Sequence, residues 1–103
     1  MQINWYNKKN ELLTEIFVSK DQKDIKVVNH AKYPLENAFG IRPVEEITYD
    51  DVYRFLARRT CSPNFAGLKR ELRAMGLRKY DPIAMCKKTN GRMCGDDRLL
   101  EIL

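Results

Sequence analysis

Seven basic residues crowd one stretch of this 103-residue chain: Arg58 and Arg59, then Lys69, Arg70 and Arg73, then Arg78 and Lys79. Guanidinium and ammonium groups make charge-assisted hydrogen bonds to carboxylates or phosphates, and the planar arginine fork favours bidentate pairing. Asn64 stands among them with an amide able to pair with a base edge. Three readings fit these residue types: a surface for an acidic protein, a grip on nucleic acid, or the wet side of a buried helix. The bias extends further, since Arg54 to Arg92 holds eleven basic residues against two acidic ones, Glu71 and Asp81. Residues 1–50 carry seven Lys/Arg and eight Asp/Glu, whereas residues 51–103 carry twelve and six. Such asymmetry points to a polyanionic or acidic partner.

Other chemistry is missing from the sequence. No glycine-rich phosphate loop and no G-x-S-x-G elbow occurs. The acidic pairs Asp50-Asp51 and Asp96-Asp97 suit helix starts, where they answer the dipole. No nucleophile, base and stabiliser are grouped, so we expect a non-enzymatic protein without a cofactor. Cys61, Cys86 and Cys94 are odd in number and read as reduced thiols, and His30 lies too far off to complete a tetrahedral metal set. We expect His30 at a surface or strand edge. Lys87, Lys88 and Arg92, around Gly91, either grip an anion or offset a helix C-terminus, and Met85 and Met93 read as core filler. No apolar run approaches the roughly 20 residues of a membrane span. The start "MQINWYNKKNELL" lacks a secretory layout, so a cytoplasmic protein without a membrane partner is expected.

The elements that must position the cations are an α+β set within one domain, residues 1–103. Residues 1–29 are strand-rich: "INWYN", "ELLTEIFVS" and "IKVVN" give about three antiparallel strands. In the second, Leu12, Thr14, Ile16 and Val18 share one face, opposite Leu13, Glu15, Phe17 and Ser19. Residues 30–46 form a wrapped connector, with Tyr33, Leu35, Phe39 and Ile41 too apolar for a free linker. Residues 47–103 form a basic helical part of three to four short helices. Thr48 caps the first with Asp51 at N3, Ile47 and Val52 make a staple, and Val52, Phe55 and Leu56 face the core up to about Arg59. Ser62 and Pro63 start the next, over 64–75, with Phe65, Leu68, Leu72 and Met75 inward and Gly76 as its stop. Asp81-Pro82 starts a third, ended by Asn90-Gly91. "GDDRLLEIL" closes the chain as helix or strand, with Leu99, Leu100, Ile102 and Leu103 available to dock. The first two helices and the turn Thr60 to Pro63 have helix-turn-helix proportions. In that arrangement Lys69, Arg70 and Arg73 fall too late in the helix to read bases and touch phosphates instead.

The layout "VVNHAKYPLENAFG…ITYDDVYRFLARRTCSPNFAGLKRELRAMGL…DPIAMCKKTNGRMCGDD" resembles a small module found with HipA-like kinases of bacterial toxin–antitoxin systems. Arg59, Ser62-Pro63, Gly67-Leu68, Leu72 and Gly95-Asp96 carry the resemblance. It implies an accessory or regulatory role and a kinase-like partner. The chain reaches Leu103 without an ATP-binding segment, and Arg98 stands where the kinases have an aromatic residue, so kinase activity is not implied. The expected function is a protein-interaction or regulatory module whose contacts are Arg58, Arg59, Asn64, Lys69, Arg70, Arg73, Arg78 and Lys79. A helix-turn-helix-like nucleic-acid-binding domain is the alternative, and a small-molecule ligand is left open.

Overall fold

A computed structural model describes residues 1–92 and 97–103. Four strands, β1 (Gln2–Tyr6), β2 (Leu12–Val18), β3 (Ile25–Asn29) and β4 (Leu99–Ile102), form one antiparallel sheet in the order β3-β2-β1-β4. Three helices stand between β3 and β4 in sequence: α1 (Tyr49–Arg58), α2 (Leu68–Ala74) and α3 (Pro82–Thr89). The α+β class is as expected, with a fourth strand added by the C-terminal segment, which pairs with β1. Met93 to Asp96 lie outside the described residues. With them lie the core role expected of Met93, the Cys94 thiol, the Gly95-Asp96 match and half of the Asp96-Asp97 pair.

Register places the core on one face of the sheet. Ile3 lies opposite Ile16 and Ile102, Trp5 opposite Thr14 and Leu100, and Ile16 opposite Val27. α1 covers this face with Val52, Phe55 and Leu56, and α3 adds Cys86 to the same cluster. The Trp5 and Phe55 rings meet edge to face at 5.1 Å, a preferred aromatic geometry. Strict alternation in β2 breaks at a register shift opposite Trp5 and Tyr6, so that Leu13 and Thr14 are both buried. An extra residue in one strand of a pair has this effect.

The connector is fastened where sequence gave no explicit signal. The buried Thr14 hydroxyl accepts the Ala38 N–H at 3.0 Å, and Asn37 accepts the Ala31 N–H at 3.2 Å. Ala31, Ala38, Phe39 and Val44 pack on the core, and short 3-10 turns form at Pro34–Glu36 and Val44–Glu46. Of the four apolar residues expected to anchor it, only Phe39 does so; Tyr33, Leu35 and Ile41 project outward, Leu35 with 79% of its surface exposed.

α1 starts as its sequence dictates. The Thr48 hydroxyl accepts the Asp51 N–H and the Asp51 carboxylate accepts the Thr48 N–H, a complete capping box. Asp51 also receives both amino groups of the Arg42 guanidinium at 2.9 and 3.3 Å. That bond first, then the Thr48 N–H, holds the Asp51 carboxyl well below the usual carboxylate range. α3 starts with the Asp81 carboxylate accepting the Ala84 N–H and ends at Asn90 in the left-handed region.

The second helix differs from expectation. α2 has seven residues and starts after Gly67, not at Asn64. The chain from Ser62 to Leu68 takes two successive turns: Phe65 N–H bonds Ser62 O, then Leu68 N–H bonds Phe65 O. The Ser62 hydroxyl accepts the Asn64 N–H and closes a local turn instead of capping a helix. Phe65 is therefore off the buried face and 49% exposed, while Leu72 is buried and Leu68 and Met75 are half-buried. Gly76 does stop the helix at φ +75°, with Gly76 N–H on Arg73 O and Leu77 N–H on Leu72 O. This is the paired termination expected of a left-handed glycine.

Candidate partner-binding surface

α2 and the turn after it carry the basic residues the sequence singles out. Lys69, Arg70 and Arg73 fall within an arc of about 100° at about 100° per residue, away from Leu68, Leu72 and Met75. All three are exposed, as are Arg78 and Lys79 beyond the Gly76 stop, Asn64 before the helix and Arg58 in the last turn of α1. Among the described residues none of these cations forms an ion pair, whereas Arg54 pairs with Asp50 at 2.8 Å and Arg42 with Asp51 at 2.9 Å. Arg58 lines a pocket of about 250 Å³ with Arg42, Asp51 and Arg54, to which no α2 residue contributes.

Arg59 does not belong to that surface. Its side chain is 7% exposed, its Nε donates to Gly91 O at 2.9 Å and one amino group donates to Arg98 O at 3.2 Å. The guanidinium lies 4.7 Å from the Trp5 ring centroid, within cation–π range. Arg59 thus ties the end of α1 to the α3–β4 connection, and its placement as a contact residue is corrected. The sequence did hold a sign of it: Val52, Leu56 and Arg59 recur at i, i+4, i+7, which puts Arg59 on the core face. Arg98, also against Trp5, donates to Glu36 O at 3.3 Å.

The helix-turn-helix proportions are not those observed. Arg59 to Gly67 separate α1 from α2, in place of a four-residue turn, and the helix packed against α1 is α3. Lys87 and Lys88 lie in the last turn of α3, where cations meet the negative end of the helix dipole.

What sequence reasoning missed here is Phe65. Its ring rests on Gly67: a β-carbon built there would lie 2.9 Å from Cε1 and 3.2 Å from Cζ. Gly67 has φ −91°, which any residue adopts, so space for the ring is what the glycine provides. Helical periodicity hid this by assigning Phe65 to the core.

Two further groups of polar side chains lie elsewhere. On the sheet face away from the helices, the Glu101 carboxylate accepts from the Tyr6 hydroxyl at 2.6 Å and the Asn4 amide at 3.0 Å. These bonds lower the Glu101 carboxyl below its ordinary range and, from the other side, raise the Tyr6 phenol. His30 meets Glu15 at 2.7 Å. A cleft of about 740 Å³ that His30 helps to line has mixed charge, with Lys8, Lys9, Lys32 and Arg98 against Glu11, Glu36 and Asp97. Among the described residues no three of His, Cys, Asp and Glu are grouped to hold a metal, and no helix is long and apolar enough to cross a membrane. Cys86 is buried beside Leu56 O, and burial pushes its thiol up to about 12, against the pull of Arg59. The chain matches no protein-family model, no curated protein and no solved structure.

Proposed function

We propose that this chain is a non-enzymatic interaction module that binds an acidic protein surface through α2 and its flanking turns. The observation that carries this reading is the set Lys69, Arg70, Arg73, Arg78 and Lys79, all exposed and without an ion pair among the described residues. Glu71 is the one carboxylate among the five cations from Lys69 to Lys79, and that excess of positive charge favours a carboxylate partner from outside. Phe65, 49% exposed just before the same helix, adds an aromatic group to these cations, and aromatic residues and Arg are enriched at protein interfaces. Phosphate contacts alone need no such group, and this favours protein over nucleic acid as the partner. The resemblance to the accessory module of HipA-like kinases names one class of partner, a kinase-like protein.

Affinity co-purification of the tagged protein from its native lysate, with and without nuclease, tests the reading. A stoichiometric protein that survives nuclease and is lost from the Arg70→Glu/Arg73→Glu variant is the expected result. Nucleic acid in the eluate, with affinity falling steeply as salt is raised, would assign the cations to phosphates instead.

A further inference from the structure

We infer that Phe65 is the anchor of this surface, and that its partner is an acidic segment carrying one large apolar side chain among its carboxylates. The inference rests on the reading above and adds what the partner must present besides charge. A phenyl group left half in water forgoes much of the roughly 2 kcal/mol that full burial provides. The chain nonetheless holds this ring at the surface in a defined place. Two turns bonded through Ser62 O and Phe65 O fix the backbone on either side of it. Gly67 leaves the space on which the ring rests, in a conformation open to alanine. Gly67 is also the N-cap of α2, so the ring and the first cations, Lys69 and Arg70, share one end of a seven-residue helix. A pre-placed aromatic at the start of a helix that carries arginines has the parts of a binding hot spot: the ring fills an apolar contact and excludes water from ion pairs formed along the helix. Charge alone would accept any polyanion; the ring makes acidic peptides with an apolar residue the preferred class.

Selection of the wild-type protein against a random peptide library displayed on phage tests this, with a synthetic copy of the enriched peptide for affinity. Enriched peptides should carry several Asp or Glu flanking a single large apolar residue. Phe65→Ala should bind the synthetic peptide about 30-fold more weakly. Gly67→Ala should weaken it as well, because the β-carbon displaces the ring, and neither variant should shift the thermal midpoint by more than a few degrees. Serine in place of the peptide's apolar residue should weaken binding to wild type but not to Phe65→Ala. Acidic peptides without an apolar residue, or equal affinity for Phe65→Ala, would overturn the anchor while leaving the basic surface standing. An empty selection, peptides with no acidic bias, or affinity unchanged in Arg70→Glu/Arg73→Glu would overturn the protein-binding reading itself.

Discussion

In β1, β2 and α1 each turn of chain delivers large apolar side chains to a shared core: Ile3 and Trp5, Ile16 and Val18, Val52, Phe55 and Leu56. From Thr60 to Tyr80 only Leu72 is buried, and it lies outside that cluster. The two regions also treat arginine differently. Arg59 commits its fork inward, to Gly91 O and Arg98 O among others and to the Trp5 ring, whereas Arg70 and Arg73 are exposed to solvent. Position relative to the core decides which role the residue takes: identical side chains are structural at one end of a basic run and available for binding at the other. A segment that adds little to the core can be rewritten for a partner without loss of the fold.

The sharpest way to break this comparison is to remove one arginine from each region. Arg59→Ala should lower unfolding free energy by about 3 kcal/mol, since charged hydrogen bonds contribute roughly 1.5–3 each and their buried acceptors lose a donor. Arg70→Ala should stay within about 0.5 kcal/mol, as for exposed positions generally. Urea denaturation of the two variants gives the answer, and equal effects would erase the distinction.

A smaller contrast lies in the left-handed glycines. Gly91, at φ +63°, has Leu100 Cγ 2.6 Å from where a β-carbon would sit, whereas Gly76, at φ +75°, has open space there. Gly91→Ala meets both backbone strain and overpacking and should be destabilised by about 2–3 kcal/mol. Gly76→Ala meets strain alone, about 1 kcal/mol. Matching losses in thermal melts would show that Leu100 can move aside.

Acid titration sharpens the comparison at α1. The folded Asp51 carboxyl is depressed, so its contribution is complete above the ordinary carboxylate range near pH 4 and is lost as pH falls through the folded value. Stability should be flat in this respect between pH 7 and about pH 5 and decline below about pH 4. Asp51→Asn should be less stable at neutral pH and lose less on acidification. A decline identical to wild type in that variant would assign the acid response to other carboxyls, Glu101 among them.

The mildest test uses thiols. With Cys94 replaced by serine, Cys61 should react with a thiol reagent at pH 8 while Cys86, pushed up to about 12 and buried, should react only on unfolding. Two equally fast thiols would mean that the α1–α3 contact opens readily.

Much of this architecture was legible from local chemistry. β3, the Thr48–Asp51 capping box, the Asp81-Pro82 start and the Gly76 stop each depend on a few neighbouring residues and formed as read, while β1 and β2 formed within a residue of their expected ends, the alternation read in β2 breaking at Leu13. "LLEIL" stayed ambiguous because four apolar residues in five satisfy both a helical and a strand period. Its pairing with β1 is a contact across nearly the whole chain, which no local signal carries. Ser62-Pro63 misled for a related reason: Ser and Pro favour turns as well as helix starts, and here the turn prevailed through Ser62 O and Oγ. The cations at Lys69, Arg70, Arg73, Arg78 and Lys79 were legible by type and spacing, and the exposure of Phe65 was not, because it follows from that turn.

The position of β4 sets a timetable for folding. Gln2 and Leu103 exchange backbone hydrogen bonds, and β4 closes on β1 only once the chain has been made as far as Ile102. Until then β1 offers a bare row of amides and carbonyls to the crowd around the ribosome, a template for pairing with another nascent strand. In the finished fold Leu100 lies against Gly91 and its N–H bonds Asn90 O at 2.8 Å, so the strand that shields β1 has part of its own outer edge covered in turn.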